Sequence, residues 1–266
     1  MNVKHSVSGK VPQKVKVFSY TVLMALILLP GPSSAHFKEP LGTEIADTPL
    51  AGRFLAHLEY DYAEGDHDDE DFRAHSMGLE LEIGIGDRSQ LNLEAEFALE
   101  EKEGDHVERG IDEIAFGAKH RFYDETDRLP DFAFLLEFAP GAGLSSDESE
   151  FKASILMTKN FTPAFLTHLE LGYILETESG EHEEAAENTH LIIYNLAPMF
   201  QVIHDRLMVL VELNGESNFD DDDHAITLAP ELIYEIKDTF FKVAVPIGLT
   251  DEAPDIGIRV GISRFF

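Results

Sequence analysis

Four acid-rich stretches of the sequence each contain one histidine, a combination that could bind metal ions. In Glu64–Asp71, for example, His67 stands among six acidic residues. Imidazole together with carboxylate suits zinc, nickel or copper, whereas carboxylates alone suit calcium or magnesium. No stretch has the ligand spacing of a calcium loop, so a solvated acidic fringe is the competing interpretation. The candidate metal ligands are His67, His106, His182, His224, Asp66, Asp68, Asp105, Glu181 and Asp223.

A second set of acids lies in segments where polar and apolar residues alternate. Glu94 and Glu96 alternate with Leu93, Ala95 and Phe97. On a strand, this spacing places the charged residues on one face and the apolar residues on the other. Unpaired carboxylates lining a conduit would favour cations, whereas carboxylates paired with bases would fill the interior as a structural network. The candidate interior residues are Glu80, Glu82, Glu94, Glu96, Glu137, Glu170, Glu212, Glu231, Arg53 and Arg259.

Strands must position both sets, because alternation with a period of two continues from Ala51 to the last residue. The links between the segments alternate in character, since short turns exchange with longer, more acidic loops. The alternation predicts twelve strands, or ten if one hairpin is misread. Their predicted ranges are 51–63, 74–86, 89–100, 110–123, 131–143, 150–160, 165–177, 189–202, 206–217, 224–237, 240–250 and 254–266.

The last segment indicates where these strands lie. Ile256, Ile258 and Val260 share one face, Gly257 and Arg259 share the other, and the chain ends on an aromatic residue. An apolar outward row with a polar inward row is typical of a strand that spans a bilayer. Only a closed ladder of strands or a helix satisfies every backbone group in lipid. The sequence therefore predicts an all-β fold, a transmembrane antiparallel β-barrel of the outer membrane.

The first 35 residues have the pattern of a secretory signal peptide. Four lysines and no acid precede a 13-residue apolar run, Val17–Leu29, and small residues then lead to Ala35. The run is shorter than the roughly 20 residues of a membrane-spanning helix. We expect cleavage near Ala35, a periplasmic arm or plug at 36–50 and a barrel at 51–266. Loss of the four lysines changes the net charge from −31 to about −35.

The C-terminal region also resembles a known family. The stretch Gly248–Ser263 is similar to outer-membrane proteins associated with a MetA pathway of phenol degradation and described as transporter-like. Weaker similarity occurs at Gly52–Phe54, at Glu59–Tyr60 and around Gly117 with Lys119–Phe122. The resemblance implies a barrel that imports small organic molecules. It assigns no functional role to an individual residue.

These observations favour an outer-membrane channel or transporter for small molecules, either aromatic compounds or cations. The alternative is a non-transporting structural or surface cation-binding protein. We expect no enzymatic activity, because no serine with a histidine and an acid stands in a recognisable motif. The acid excess argues against nucleic acid. The expected partners are outer-membrane lipid, lipopolysaccharide bridged through cations, and the assembly machinery that recognises the C-terminal strand. We expect a monomer. We expect no firm cofactor beyond a divalent cation at the loops.

Overall fold

The computed structural model describes residues 38–67, 70–103, 106–145, 148–178, 188–218 and 223–266. The predicted signal peptide at 1–35 lies outside these residues. Within them, no helix is long and apolar enough to cross a membrane. The helical content of these same residues is a single 3-10 turn at Gly143–Ser145.

All other regular structure is antiparallel sheet. The strands are β1 (Phe54–His67), β2 (Glu70–Gly84), β3 (Ser89–Glu103), β4 (His106–Tyr123), β5 (Asp131–Ala139), β6 (Glu148–Thr162), β7 (Phe165–Glu178), β8 (Asn188–Ile203), β9 (Leu207–Asn218), β10 (His224–Ile236), β11 (Thr239–Ala244), β12 (Ile247–Gly248) and β13 (Ile256–Phe265). Each strand pairs with the next along the chain, except where β11 and β12 share both neighbours.

The sheet closes on itself through β1 and β13. Their antiparallel ladder runs from Leu55 opposite Phe265 to Glu64 opposite Ile256. β11 and β12 both pair with β10 and β13, and they are separated at Pro246, which has no backbone N–H to give to a ladder. They therefore form one interrupted strand of the wall. The fold is a closed antiparallel barrel of twelve strands, which confirms the predicted fold class.

The strand bounds differ from prediction mainly at one rim. We call this the loop rim, formed by links 68–69, 104–105, 140–147, 179–187, 219–223 and 249–255, and the opposite end the turn rim. The ranges 64–73 and 101–109 were expected to be loops, but β1 to β4 continue through most of them. Pairs such as Glu64 with Arg73 keep the ladder regular beyond the apolar wall, so charge alone does not end a strand. β5 is shorter than predicted, since Pro140 follows Ala139.

The barrel has its apolar side chains outside and many polar ones inside. On β13, Ile256, Ile258 and Val260 are exposed, whereas Gly257 and Ser263 on the other face are buried. Outward apolar side chains recur on the other strands, and the buried polar residues of the inner face include Glu82, Gln90, Asn92, Lys119, Ser154, Thr158, His168, Glu170, Glu212, Glu231, Lys242 and Ser263. This inverted arrangement is typical of barrels that are surrounded by lipid.

Part of the inner face near the turn rim is nevertheless apolar. A buried cluster collects inward side chains of several strands around Ile45, which precedes the first strand. Its members are Ile45, Leu55, Leu166, Ala197, Met199, Met208, Leu210, Ile233, Phe240 and Phe265. The barrel is thus packed at this end by a residue that comes from outside the sheet.

Candidate functional site

Residues 38–50 form no strand and lie inside the barrel; we call them the lumen segment. Three carboxylates of the wall accept hydrogen bonds from its backbone. Leu41 N donates to Glu231 Oε2 at 3.1 Å, Gly42 N to Glu212 at 3.1 Å, and Glu44 N to Glu170 Oε2 at 3.3 Å. The Thr43 hydroxyl also donates to Glu212, at 2.7 Å. A segment without a strand partner therefore satisfies its amides on side chains of β7, β9 and β10.

The acids of the lumen segment face bases of β4. Lys119 Nζ lies 3.0 Å from Glu44 Oε2 and 3.5 Å from Glu82 Oε1, and the Lys119 side chain is fully buried. Arg121 donates to Asp47 Oδ1 at 2.9 Å. Wall carboxylates on one side and wall bases on the other thus hold the lumen segment across the barrel.

Two glycines let the lumen segment pass close to the wall. A Cβ at Gly84 would stand 2.3 Å from the Leu50 carbonyl oxygen, and a Cβ at Gly261 would stand 2.6 Å from the Leu41 side chain. Gly52, with φ of 77°, then turns the chain into β1. The wall therefore leaves room for the segment near its start, at Leu41, and at its exit, at Leu50.

An acidic cavity of about 390 Å³ lies beside the lumen segment. Among the described residues, its lining contains nine carboxylates but three lysine or arginine side chains, Lys152, Lys242 and Arg259. The carboxylates are Glu39, Glu44, Glu59, Asp61, Glu80, Glu94, Glu96, Glu137 and Glu170. Such an excess of one charge inside low-dielectric walls produces a negative potential that attracts cations.

A second cavity, of about 590 Å³, opens near the turn rim. Its lining includes Lys38 and Asp47 of the lumen segment, Thr158 and His168 of the wall, and Asp205 of the turn between β8 and β9. The two cavities share no lining residue. Because the lumen segment contributes to both linings, it lies between them.

Burial raises the pKa of one carboxyl group of the lumen segment, that of Glu39. Glu39 is almost fully buried and lies near Glu44. Loss of solvent, together with the neighbouring charge of Glu44, raises the pKa of Glu39 to about 7.

The ten predicted interior residues have four different surroundings. Glu212 and Glu231 bind the lumen segment, and Glu82 lies between Lys119 and Gln90, whose amide donates to it at 2.6 Å. Arg53 packs over the Phe265 ring at 5.3 Å. The remaining six line the acidic cavity: Glu80, Glu94, Glu96, Glu137, Glu170 and Arg259.

Sequence reasoning missed several interior residues. Lys152 lies 3.1 Å from Glu137 and 3.3 Å from Glu170, on a strand whose inward phase also carries Ser154 and Thr158. Alternation along β6 could have identified it. Glu39 and Glu44 could not be found in this way, because the lumen segment has no periodicity.

The predicted rim ligands are only partly within the described residues. Asp68, Asp105, His182 and Glu181 lie outside them. The backbone places Asp66 and His67 at the end of β1 and His106 at the start of β4, and Asp223 and His224 are exposed at the start of β10. These positions share the loop rim, so the metal-binding hypothesis there stays a prediction.

Comparison with known proteins shows similarity of fold. No family model matches the chain, and no curated protein matches it. An outer membrane channel from Pseudomonas putida F1 superposes with a TM-score of 0.69 at 12% identity, over 83% of this chain and 98% of that chain. The translocator domain of the autotransporter NalP from Neisseria meningitidis gives a TM-score of 0.58 at 12% identity, over 95% and 96% of the two chains. The NanC porin gives 0.57 at 9% identity, over 79% of this chain and 98% of that one.

These likenesses do not test the predicted resemblance to the phenol-degradation family. They also give no information about the chemistry of the lumen side chains, since a sequence identity this low reflects a shared architecture only. What they share with this chain is the closed antiparallel wall. The chain therefore has the fold of outer-membrane barrels, a group that includes channels, porins and translocators.

Proposed function

We propose that this protein is an outer-membrane channel that favours small cationic solutes over others. In this proposal the lumen segment restricts the passage of solutes through the barrel. One observation carries the proposal: inside a closed barrel lies a cavity whose lining, among the residues that the structure describes, has nine carboxylates and three lysine or arginine side chains. Carboxylates in excess of their bases need water or cations to balance them. A hydrated acidic cavity in such a barrel is suited to cation passage.

The proposed location is supported by the outer surface of the barrel. Large apolar side chains, including Leu93, Phe134 and Ile258, are exposed on the strands. An apolar surface that encircles a barrel would be unfavourable in water, and lipid removes this cost. The similar structures, a channel, a porin and a translocator domain, support transport rather than catalysis.

The chemistry of the cavity favours one class of solute over another. Import of a small organic molecule rests on the resemblance of Gly248–Ser263 to the phenol-degradation family. The acidic lining instead supports a cation or a positively charged organic molecule. We favour the cationic solute, because an anionic or purely apolar molecule gains little from Glu94, Glu96 and Glu137.

Neutralising these three carboxylates should reduce cation preference. In a planar bilayer with a potassium chloride gradient, we expect the wild-type protein to give a reversal potential of the cation-selective sign. The variant Glu94→Gln, Glu96→Gln, Glu137→Gln should move that potential part of the way towards zero, since it removes three of the nine carboxylates that line the cavity among the described residues.

A control with the same charge change outside the cavity is Asp127→Asn, Asp251→Asn, Glu252→Gln, since all three side chains are exposed in links between strands. This control should keep the wild-type reversal potential. Equal shifts in both triple variants would contradict a selective lumen. Absence of any conductance, together with no uptake defect on deletion, would favour a non-transporting structural or surface cation-binding protein.

We further propose that the loop rim binds divalent transition metals through His67, His106, His182 and His224 with neighbouring acids. Replacing all four histidines by alanine, here called the rim-histidine variant, should weaken Zn²⁺ binding in calorimetry. Imidazole ligates only when neutral, so affinity at the rim should fall as pH drops through about 6.5. Equal Zn²⁺ affinity at the rim in both proteins would leave only a carboxylate fringe.

A further inference from the structure

A second group of potential metal ligands lies deep in the barrel, far from the loop rim. Glu39 comes from the lumen segment, His57 from β1 and Glu82 from β2. One ligand atom of each lies within 4.8 Å of the others. In the β1–β2 ladder, Leu55 stands opposite Glu82 and His57 opposite Glu80, so His57 and Glu82 are diagonal neighbours on the inner face.

These three side chains contain buried polar atoms that have no hydrogen-bond partner among the residues that the structure describes. They are both carboxylate oxygens of Glu39, Nε2 of His57 and Oε2 of Glu82. Glu82 is 0% exposed and Glu39 is 7% exposed. His57 Nε2 approaches Glu39 Oε2 to 3.2 Å, yet neither atom makes an aligned hydrogen bond. Buried polar atoms are rarely left unsatisfied, so a shared partner at this point would account for all three residues.

The neighbouring groups orient these atoms towards one another. Ser263 Oγ lies 3.0 Å from His57 Nδ1, and the Gln90 amide donates to Glu82 Oε1 at 2.6 Å. When Nδ1 carries the proton and donates it to Ser263 Oγ, the Nε2 lone pair is free for ligation. Outer contacts of this kind are those that fix the histidine and carboxylate ligands of metal sites.

Two lysines, Lys119 and Lys242, lie nearby. Lys119 Nζ is closer to Glu44, at 3.0 Å, than to Glu82, at 3.5 Å, and it is on the Oε1 side of Glu82. Lys242 Nζ is 3.4 Å from the Pro40 carbonyl oxygen. Lys242 and Glu80 both line the acidic cavity. The carboxylates of this region therefore outnumber its bases, and a divalent cation would reduce the excess.

We propose that Glu39, His57 and Glu82 bind one divalent transition-metal ion of the Zn²⁺ type and so fasten the lumen segment to the barrel wall. One imidazole nitrogen with two carboxylate oxygens suits Zn²⁺, whereas calcium and magnesium prefer oxygen alone. Ligand bonds to Zn²⁺ are about 2.0–2.2 Å long, so small side-chain movements would bring the three donors around one ion. Water completes the coordination.

The test measures metal binding in detergent and does not depend on transport. The mature protein carrying the rim-histidine replacements is stripped with a chelator and titrated with Zn²⁺ by calorimetry and with Co²⁺ by visible absorption. We expect one tightly bound ion per chain, with a Co²⁺ spectrum typical of nitrogen and oxygen ligands. In this background, His57→Ala and Glu82→Gln should each lower the affinity at least tenfold.

His168→Ala is the matched control. His168 is a second buried inner-face histidine, with Thr158 Oγ1 2.9 Å from its Nδ1, but it is not in the three-ligand cluster. It should leave the affinity unchanged. Heat-modifiable migration in gels identifies the folded variants. If His57→Ala does not fold, the isosteric Glu39→Gln takes its place in the comparison with His168→Ala, and it should lower the affinity likewise. Absence of a stoichiometric ion in the rim-histidine background, or equal losses in His57→Ala and His168→Ala, would overturn the proposal.

Discussion

Deleting residues 38–48 should raise the single-channel conductance several-fold. These residues lie between the two cavities of the barrel, and Ile45 fills the apolar cluster near the turn rim. Their removal joins the cavities into a wider aqueous path, and ion flow increases with the cross-section of a pore. The measurement is single-channel recording in planar bilayers, with protein that still carries the turn at Gly52.

A milder variant separates release of the segment from damage to the barrel. Glu212→Gln with Glu231→Gln keeps every wall side chain at nearly its original size, but it weakens the charge-assisted bonds to Leu41 and Gly42. We expect an intermediate rise in conductance, with frequent transitions between levels. If the deletion and the double variant both conduct as the wild-type protein does, the lumen segment does not restrict passage.

Lys119→Met should cost about 3–5 kcal/mol of unfolding free energy, the typical loss when one partner of a buried ion pair is removed. The Lys119 and Glu82 side chains are both fully buried, and Lys119 also contacts Glu44. The substitution leaves two carboxylates with less compensation in the interior. Urea unfolding of protein refolded in lipid vesicles, followed by heat-modifiable migration, measures the loss.

Arg88→Met is the matched control, because it also removes one base from an ion pair of the barrel. Its partner Asp124 and Arg88 itself are both about half exposed in turn-rim links. We expect a loss of about 1 kcal/mol or less. Adding Glu82→Gln to Lys119→Met should recover part of the stability, since it removes one uncompensated charge. Equal losses in the two single variants would mean that burial of Lys119 does not govern its contribution.

The wall of the barrel could be predicted from the sequence because the alternation of inward and outward residues can be recognised within a single strand. Each residue of a strand faces lipid or lumen according to its parity, so Ile256, Ile258 and Val260 revealed an outward row without knowledge of their neighbours. The break at Pro246 and the continuation of β1 and β2 past Glu64 were missed. Both depend on which residues pair across the ladder, and alternation along one strand does not carry that information.

The interior could be predicted only in part. Parity identified the inward acids, but it did not reveal which of them bind the lumen segment. Leu41 and Gly42 are separated from Glu231 and Glu212 by 190 and 170 residues, and no repeating pattern in 36–50 indicates these contacts. The grouping of Glu39 with His57 and Glu82 depends on the same long-range path. No local sequence pattern therefore predicts it.

The contacts of the lumen segment also determine when it can acquire its structure. The strands that supply Glu212 and Glu231 belong to the last quarter of the chain, yet the residues that they hold precede the first strand. A segment whose partners are this distant gains no hydrogen bonds until those strands have joined the sheet, although its chain entropy is lost as soon as it is confined. The lumen segment leaves the ribosome before any strand of the barrel, yet it is consequently among the last parts to become ordered, after the wall has been built around it.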